Sequence, residues 1–260
     1  VLHLLAQNVA QACVLLIGLA FKDHTGLSVY PLSPVEILYV IMVTTGLPAM
    51  GLGMELAAPD IMEQKPNTSR LGIFSLEMLA DLLAYGLWMA ALCLGTYSLV
   101  VFRWGDGELG DNCNDKYNDS CDTVYRGRGA TFIVITWFSL FLAWEVTNMR
   151  RSFFRMSHTA HWYNQWLVDT WKNKFLFSCV VLGFFSVFPI VYIPGLNKVV
   201  FQHKGAEGWE WGIVFVATLM FFLGIEFYKW VKRAYLRRLA HRKDENTLHI
   251  VSHEQGSEEA

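Results

Sequence analysis

Several polar side chains lie inside long apolar stretches, and their types point to one chemistry. Gln7, Asn8 and Gln11 fall in the first stretch, with Asn8 and Gln11 three apart on one helical face. Thr44 and Thr45 sit in the middle of the second, followed by Gly46 and Pro48. Pro48 has no N–H for the carbonyl four residues back, so Thr44 offers both a released carbonyl and a hydroxyl. Glu145 and Asn148, again three apart, lie near the end of the fourth. Amide, hydroxyl, carbonyl and carboxylate oxygens are the ligands that small hard cations take. Kinked helices with freed carbonyls are one way to build ion sites inside a bilayer. The plainer alternative is that Asn, Gln and Thr only tie helix to helix. A polar group at membrane depth is costly without partners, and the clustering around a mid-helix proline favours the cation reading. The candidate ligands are therefore Asn8, Gln11, Thr44, Thr45 and Glu145, with Pro48 as the kink. Asp81, four residues after Glu77, is a weaker candidate, and Glu226 with Lys229 reads as an interfacial ion pair.

The elements that must position these groups are membrane helices. Hydrophobic residues make up 53% of the 260 and charged residues only 17%, against about a quarter charged in a soluble domain. The apolar residues are blocked into runs of about 20, enough to cross a hydrocarbon core roughly 30 Å thick. Backbone polar groups in lipid must be satisfied within the segment, so such runs are helices. The sequence predicts an all-α polytopic membrane protein with six spans: 2–21, 35–54, 73–101, 130–149, 175–193 and 211–231. Ser33 and Pro34 open the second; Pro194 and Gly195 close the fifth. Residues 1–240 form the membrane domain, and the polar stretch 241–260 is expected to be a disordered tail. The chain opens on Val1 inside an apolar run and reads as a piece of something longer.

Lysine and arginine set the orientation. Arg150, Arg151 and Arg155 follow the fourth span, and Lys229, Lys232, Arg233, Arg237, Arg238, Arg242 and Lys243 close the sixth. Both segments are expected in the cytoplasm, which places both chain ends there and the loop 102–129 outside. That loop holds Cys113 and Cys121, a candidate disulfide for an oxidising compartment, and Asn118 in an acceptor pattern for glycosylation. The net charge is −2, and no basic stripe with interleaved aromatics suggests nucleic acid.

Several motifs carry a family resemblance. The runs Pro31–Glu36 (PLSPVE), Val43–Gly53 (VTTGLPAMGLG), Ala58–Met62 (APDIM) and Asn8–Ala12 (NVAQA) resemble P-type cation ATPases. Ala143–Arg155 (AWEVTNMRRSFFR) and Phe188–Pro194 (FPIVYIP) look most like the fungal sodium-exporting subgroup. The resemblance covers about residues 1–240 and implies the last six helices of a ten-helix membrane domain. It also implies that Asn8, Gln11, Ile41, Thr44, Thr45 and Glu145 match the ion-binding positions of calcium pumps. Gln11 and Thr45 stand where those pumps have carboxylates, and Ile41 replaces a polar ligand. Fewer negative ligands suit a monovalent ion.

The expected function is thus the ion-pathway portion of a pump exporting sodium, with lithium or potassium as further cargo, in the plasma membrane. The partners would be the lipid bilayer and the N-terminal remainder of the pump. ATP and Mg2+ would belong to cytoplasmic domains outside this chain, since no Asp-Lys-Thr-Gly phosphorylation motif or nucleotide cradle occurs here. Alone, the chain is not expected to hydrolyse ATP. A different reading is a stand-alone membrane protein that regulates or scaffolds a full-length pump.

Overall fold

A computed structural model describes residues 1–55, 75–107, 109–114, 119–147, 171 and 173–258. The described residues form helices joined by short loops, with one isolated antiparallel bridge between Lys22 and Ser28. The helices are α1 (Leu2–Gly18), α2 (Pro34–Gly53), α3 (Leu76–Arg103), α4 (Asp122–Thr147), α5 (Lys174–Tyr192) and α6 (Gly208–Glu258).

Each start has a local cause. Ser33 and Glu36 form a reciprocal capping box at α2, with Pro34 in the first turn. Ser75 accepts from the Met78 N–H at α3, and Asn173 accepts from the Leu176 N–H at α5. Within α2, residues Val40–Gly46 are wound as a π-helix, immediately before Pro48. The proline predicted as a kink thus sits at the junction of two windings, and such π segments are frequent at functional sites.

Among the described residues, five helices are long and apolar enough to span a membrane, against six expected spans: α2, α3, α4, α5 and the Gly208–Tyr235 part of α6. The first is apolar but only 17 residues long, about 26 Å at 1.5 Å per residue. It was expected to run to Phe21 and stops at Gly18. There Pro31 packs so closely that a Cβ on Gly18 would lie 2.5 Å from its Cδ. The fourth helix departs the other way, beginning at Asp122 rather than near Ala130. Its polar first turns stay helical because their charges have partners: Arg126 bonds Asp122 at 3.1 Å and Glu207 at 2.6 Å, and Lys204 bonds Asp122 at 2.6 Å. Beyond Tyr235, α6 continues through the stretch expected as a disordered tail, as far as Glu258. That stretch has four glutamates, three histidines and no proline, so no proline interrupts the helix.

Helix α4 is the hub. In its most apolar window 83% of residues are buried, against 22–39% in the other spans. Trp137, Phe138 and Phe132 fill the space between it and its neighbours, with Phe138 stacked on Phe221 of α6 and Trp137 on Phe184 of α5. Helix α1 packs along α3 with a stripe of Leu2, Ala6, Ala10 and Val14. Gly86 of α3 makes that approach close: a Cβ there would meet Val9 Cγ1 at 2.8 Å and the Ala6 carbonyl at 3.0 Å.

At one end of the bundle the loops consolidate. Cys113 and Cys121 are joined by a disulfide and pack with Val29, Val124 and Tyr125. The buried Arg128 guanidinium donates to the carbonyls of Tyr30 at 2.9 Å and Cys113 at 3.1 Å, and to Asn114. Asn118 and Asn148 lie outside the described residues.

Candidate functional site

The α1 stripe that faces the core is not wholly apolar. Successive helical residues are about 100° apart, so Gln7 and Gln11, four residues apart, share the buried face with Ala6 and Ala10. Asn8 turns to the open side of the helix. The face predicted to pair Asn8 with Gln11 therefore pairs Gln7 with Gln11 instead. Opposite them stands the π-helical turn of α2. Gln7 Nε2 donates to Thr44 Oγ1 at 2.6 Å, and Thr44 Oγ1 donates to the Val40 carbonyl at 2.6 Å. Thr44 is fully buried and Thr45 nearly so, whereas Ile41 is exposed.

The polar atoms left over define the site. Gln7 Oε1, Gln11 Nε2 and Thr45 Oγ1 are buried and have no hydrogen-bond partner among the described residues. An unsatisfied buried group costs about 1–3 kcal/mol. A threonine inside a helix ordinarily returns its hydroxyl to the carbonyl four residues back, as Thr44, Thr131 and Thr136 do here. Thr45 does not. A half-turn of the Gln11 amide would present its oxygen in place of its nitrogen. Helices α1 and α2, linked by the Gln7–Thr44 bond, thus offer two buried amide groups, a buried hydroxyl and the turn before Pro48, all uncharged. Among the described residues no group of three His, Cys, Asp or Glu side chains is placed to hold a metal ion.

Glu145 shares one feature with these groups, a buried Oε1 with no hydrogen-bond partner among the described residues, but its other oxygen is engaged. Its Oε2 accepts from Lys229 Nζ of α6, and the same ammonium donates to the Glu145 main-chain carbonyl at 3.0 Å. Both side chains are 1% exposed. Lys229, expected to pair with Glu226, bonds Glu145 across helices. Asp81 is likewise engaged: Oδ1 accepts from Tyr228 Oη at 2.8 Å and Oδ2 from Lys232 Nζ at 2.5 Å, with Glu77 2.9 Å from the same ammonium.

A further buried pair went unnoticed in the sequence. His203 Nδ1 lies 2.7 Å from Glu36 Oε1, both side chains fully buried, while Glu36 Oε2 accepts from the Ser33 N–H at 2.7 Å. The imidazole stacks on Phe132. The partners are 167 residues apart in sequence, and no local signal joins them. Lys229 had a fainter signal: it lies within the apolar run of α6, six residues before Tyr235.

Comparison with known proteins agrees with this architecture. The family described as cation transporting ATPase, C-terminus, matches residues 29–231. The chain is 48% identical to sodium/potassium exporting P-type ATPase 5 of Saccharomyces cerevisiae, over 95% of this chain and 23% of that protein. It is 41% identical to a sodium/potassium exporting P-type ATPase of Schizosaccharomyces pombe, over 90% of this chain and 23% of the relative. Calcium-transporting ATPase 1 of Bacillus cereus is more distant, 23% identical over 90% of the chain and 24% of its own length. The chain therefore spans about a quarter of the length of the relatives it matches. With the family matched across 29–231 and apolar helices fit to span a membrane, the chain belongs to the cation transporting ATPases, and corresponds to their C-terminal membrane region.

Proposed function

We propose that this chain supplies the C-terminal part of the ion pathway in a P-type pump that exports monovalent cations, sodium foremost. The observation that carries the reading is the set of unpartnered buried polar atoms, Gln7 Oε1, Gln11 Nε2 and Thr45 Oγ1, beside the hydrogen-bonded Gln7–Thr44 pair and the π-helical turn before Pro48. These groups are neutral. A site of neutral oxygens compensates little charge, which suits a singly charged ion better than calcium. Asn8, on the open side of α1, lies off the face that carries Gln7 and Gln11 and would meet the ion only through contacts outside these residues.

ATP and Mg2+ would act in domains outside these residues, since the sequence has no phosphoryl acceptor motif for them. The residues of this chain would bind the cargo ion, orient it through the amides and hydroxyls, and pass it along α1 and α2. We further assign six crossings, with α1 completing its span inside the assembled pump, both ends in the cytoplasm and the disulfide loop outside, in the plasma membrane.

The test is sodium activation of ATP hydrolysis in the full-length pump. Losing one ligand worth about 1.4 kcal/mol raises the half-saturating concentration about tenfold. Gln11→Ala and Thr45→Ala are each expected to raise it by roughly that factor at unchanged expression. Unchanged half-saturation in both variants would refute the site.

A further inference from the structure

Glu145 is a buried carboxylate in the last described turn of α4. A buried carboxylate there has no favourable state without a compensating cation or a proton. The cation present is a side chain. Lys229 reaches from α6 and donates both to Glu145 Oε2 and to the Glu145 carbonyl, so one ammonium compensates the carboxylate charge and satisfies that carbonyl, while Oε1 keeps no hydrogen-bond partner among the described residues. The neighbouring carboxylates of α3 do not compete for it, because Asp81 and Glu77 are held by a second lysine, Lys232. Lysines ordinarily keep their ammonium in water, whereas Lys229 is 1% exposed.

We propose that Lys229 is a resident cation: its ammonium occupies the Glu145 carboxylate, so that the transported ion is held by the neutral groups of α1 and α2 and not by Glu145. The inference rests on the reading of the chain as part of a cation pump. It identifies Lys229 as a specificity-determining residue. With the ammonium in place, α4 offers no free negative charge to a second ion or to a divalent one. With it removed, the carboxylate is open to an additional cation.

The experiment counts sodium ions bound per pump at saturation in the purified full-length protein. Lys229→Met is expected to bind one more ion than the wild type. Lys229→Arg, which retains the charge, is expected to keep the wild-type number. Lys229→Met combined with Glu145→Gln is expected to return to the wild-type number, with half-saturation within twofold. A folded Lys229→Met protein that gains no ion overturns the proposal, as does a double variant that loses one. Should Lys229→Met alone not fold, the double variant decides: a wild-type count supports the resident cation, and a count lower by one shows that Glu145 is a ligand. Failure of the underlying reading is separate, because it appears as unchanged sodium activation in Gln11→Ala and Thr45→Ala whatever the Lys229 series does.

Discussion

Gly86 ties the packing of the bundle to the geometry of the proposed site. A Cβ at this position would lie 2.8 Å from Val9 Cγ1 and 3.0 Å from the Ala6 carbonyl oxygen. Ordinary contacts begin at about 3.4–3.5 Å, so alanine requires α1 and α3 to part by roughly half an ångström. Valine adds two more methyl groups to the same seam. Overpacking of this kind costs about 1–3 kcal/mol. The displaced helix carries Gln7, one residue from Ala6, and its 2.6 Å bond to Thr44 has no room to shorten. We expect Gly86→Ala to lose about 1 kcal/mol with sodium activation nearly intact, and Gly86→Val to lose about 2–4 kcal/mol once the interhelical hydrogen bond is included. Gly53→Ala, where nothing lies within 4 Å of the added carbon, is the control. Thermal unfolding in detergent reads the packing, and half-saturating sodium in the full-length pump reads the site. Gly86→Val with wild-type melting and wild-type sodium activation would show that α1 does not sit against α3 as described.

Two further outcomes follow from buried and looped carboxylates. Glu36→Ala removes the partner of buried His203 and the cap of α2 together, and should lower stability by about 3–5 kcal/mol; Glu36→Gln keeps one acceptor oxygen for the Ser33 N–H and offers an amide N–H that His203 Nδ1 can accept in its Nε2–H tautomer, and should lose much less, as melting of the two variants will show. The Asp23 carboxyl is held below the usual carboxylate range, first by the Thr25 hydroxyl at 2.7 Å and then by the Leu27 and Asn112 N–H groups. Its folded value being depressed, its contribution is present above the unfolded value of about 3.9 and is lost as pH falls through the folded one. Amide exchange at Leu27 should therefore accelerate below about pH 4; Asp23→Asn should abolish that acceleration, and an unchanged pH profile in the variant would count against the loop geometry.

The parts of the fold legible in the sequence were those governed by short-range rules. The start of α2 was readable because Ser33 and Pro34 are local helix-start signals, and Glu36 completes that helix end from three residues on. The α3 and α5 spans came within three residues of the observed ends because apolar runs and their breaks are local signals. The start of α4 was misplaced by eight residues. Its polar opening turns are helical only because Lys204 and Glu207, some 80 residues away, meet Asp122 and Arg126. Asn8, Gln11, Thr44, Thr45 and Glu145 were singled out as a set; which of them share a buried face was not readable, since a shift of one residue rotates a side chain by about 100°.

By itself the sequence determined that the chain is helical and apolar enough for a bilayer, that Pro48 interrupts α2 beside Thr44 and Thr45, and that the family is that of cation pumps. Composition and contiguous motifs suffice for these, because lipid allows few backbone solutions. The tertiary structure alone decided that Gln7 rather than Asn8 meets Thr44, that Glu36 is joined to His203, and that Glu145 is occupied by Lys229. These are pairings between helices separated by tens of residues or more. A charge buried in the bundle takes whichever opposite charge the packing brings within reach, and that choice is made by the approach of whole helices rather than by neighbours along the chain.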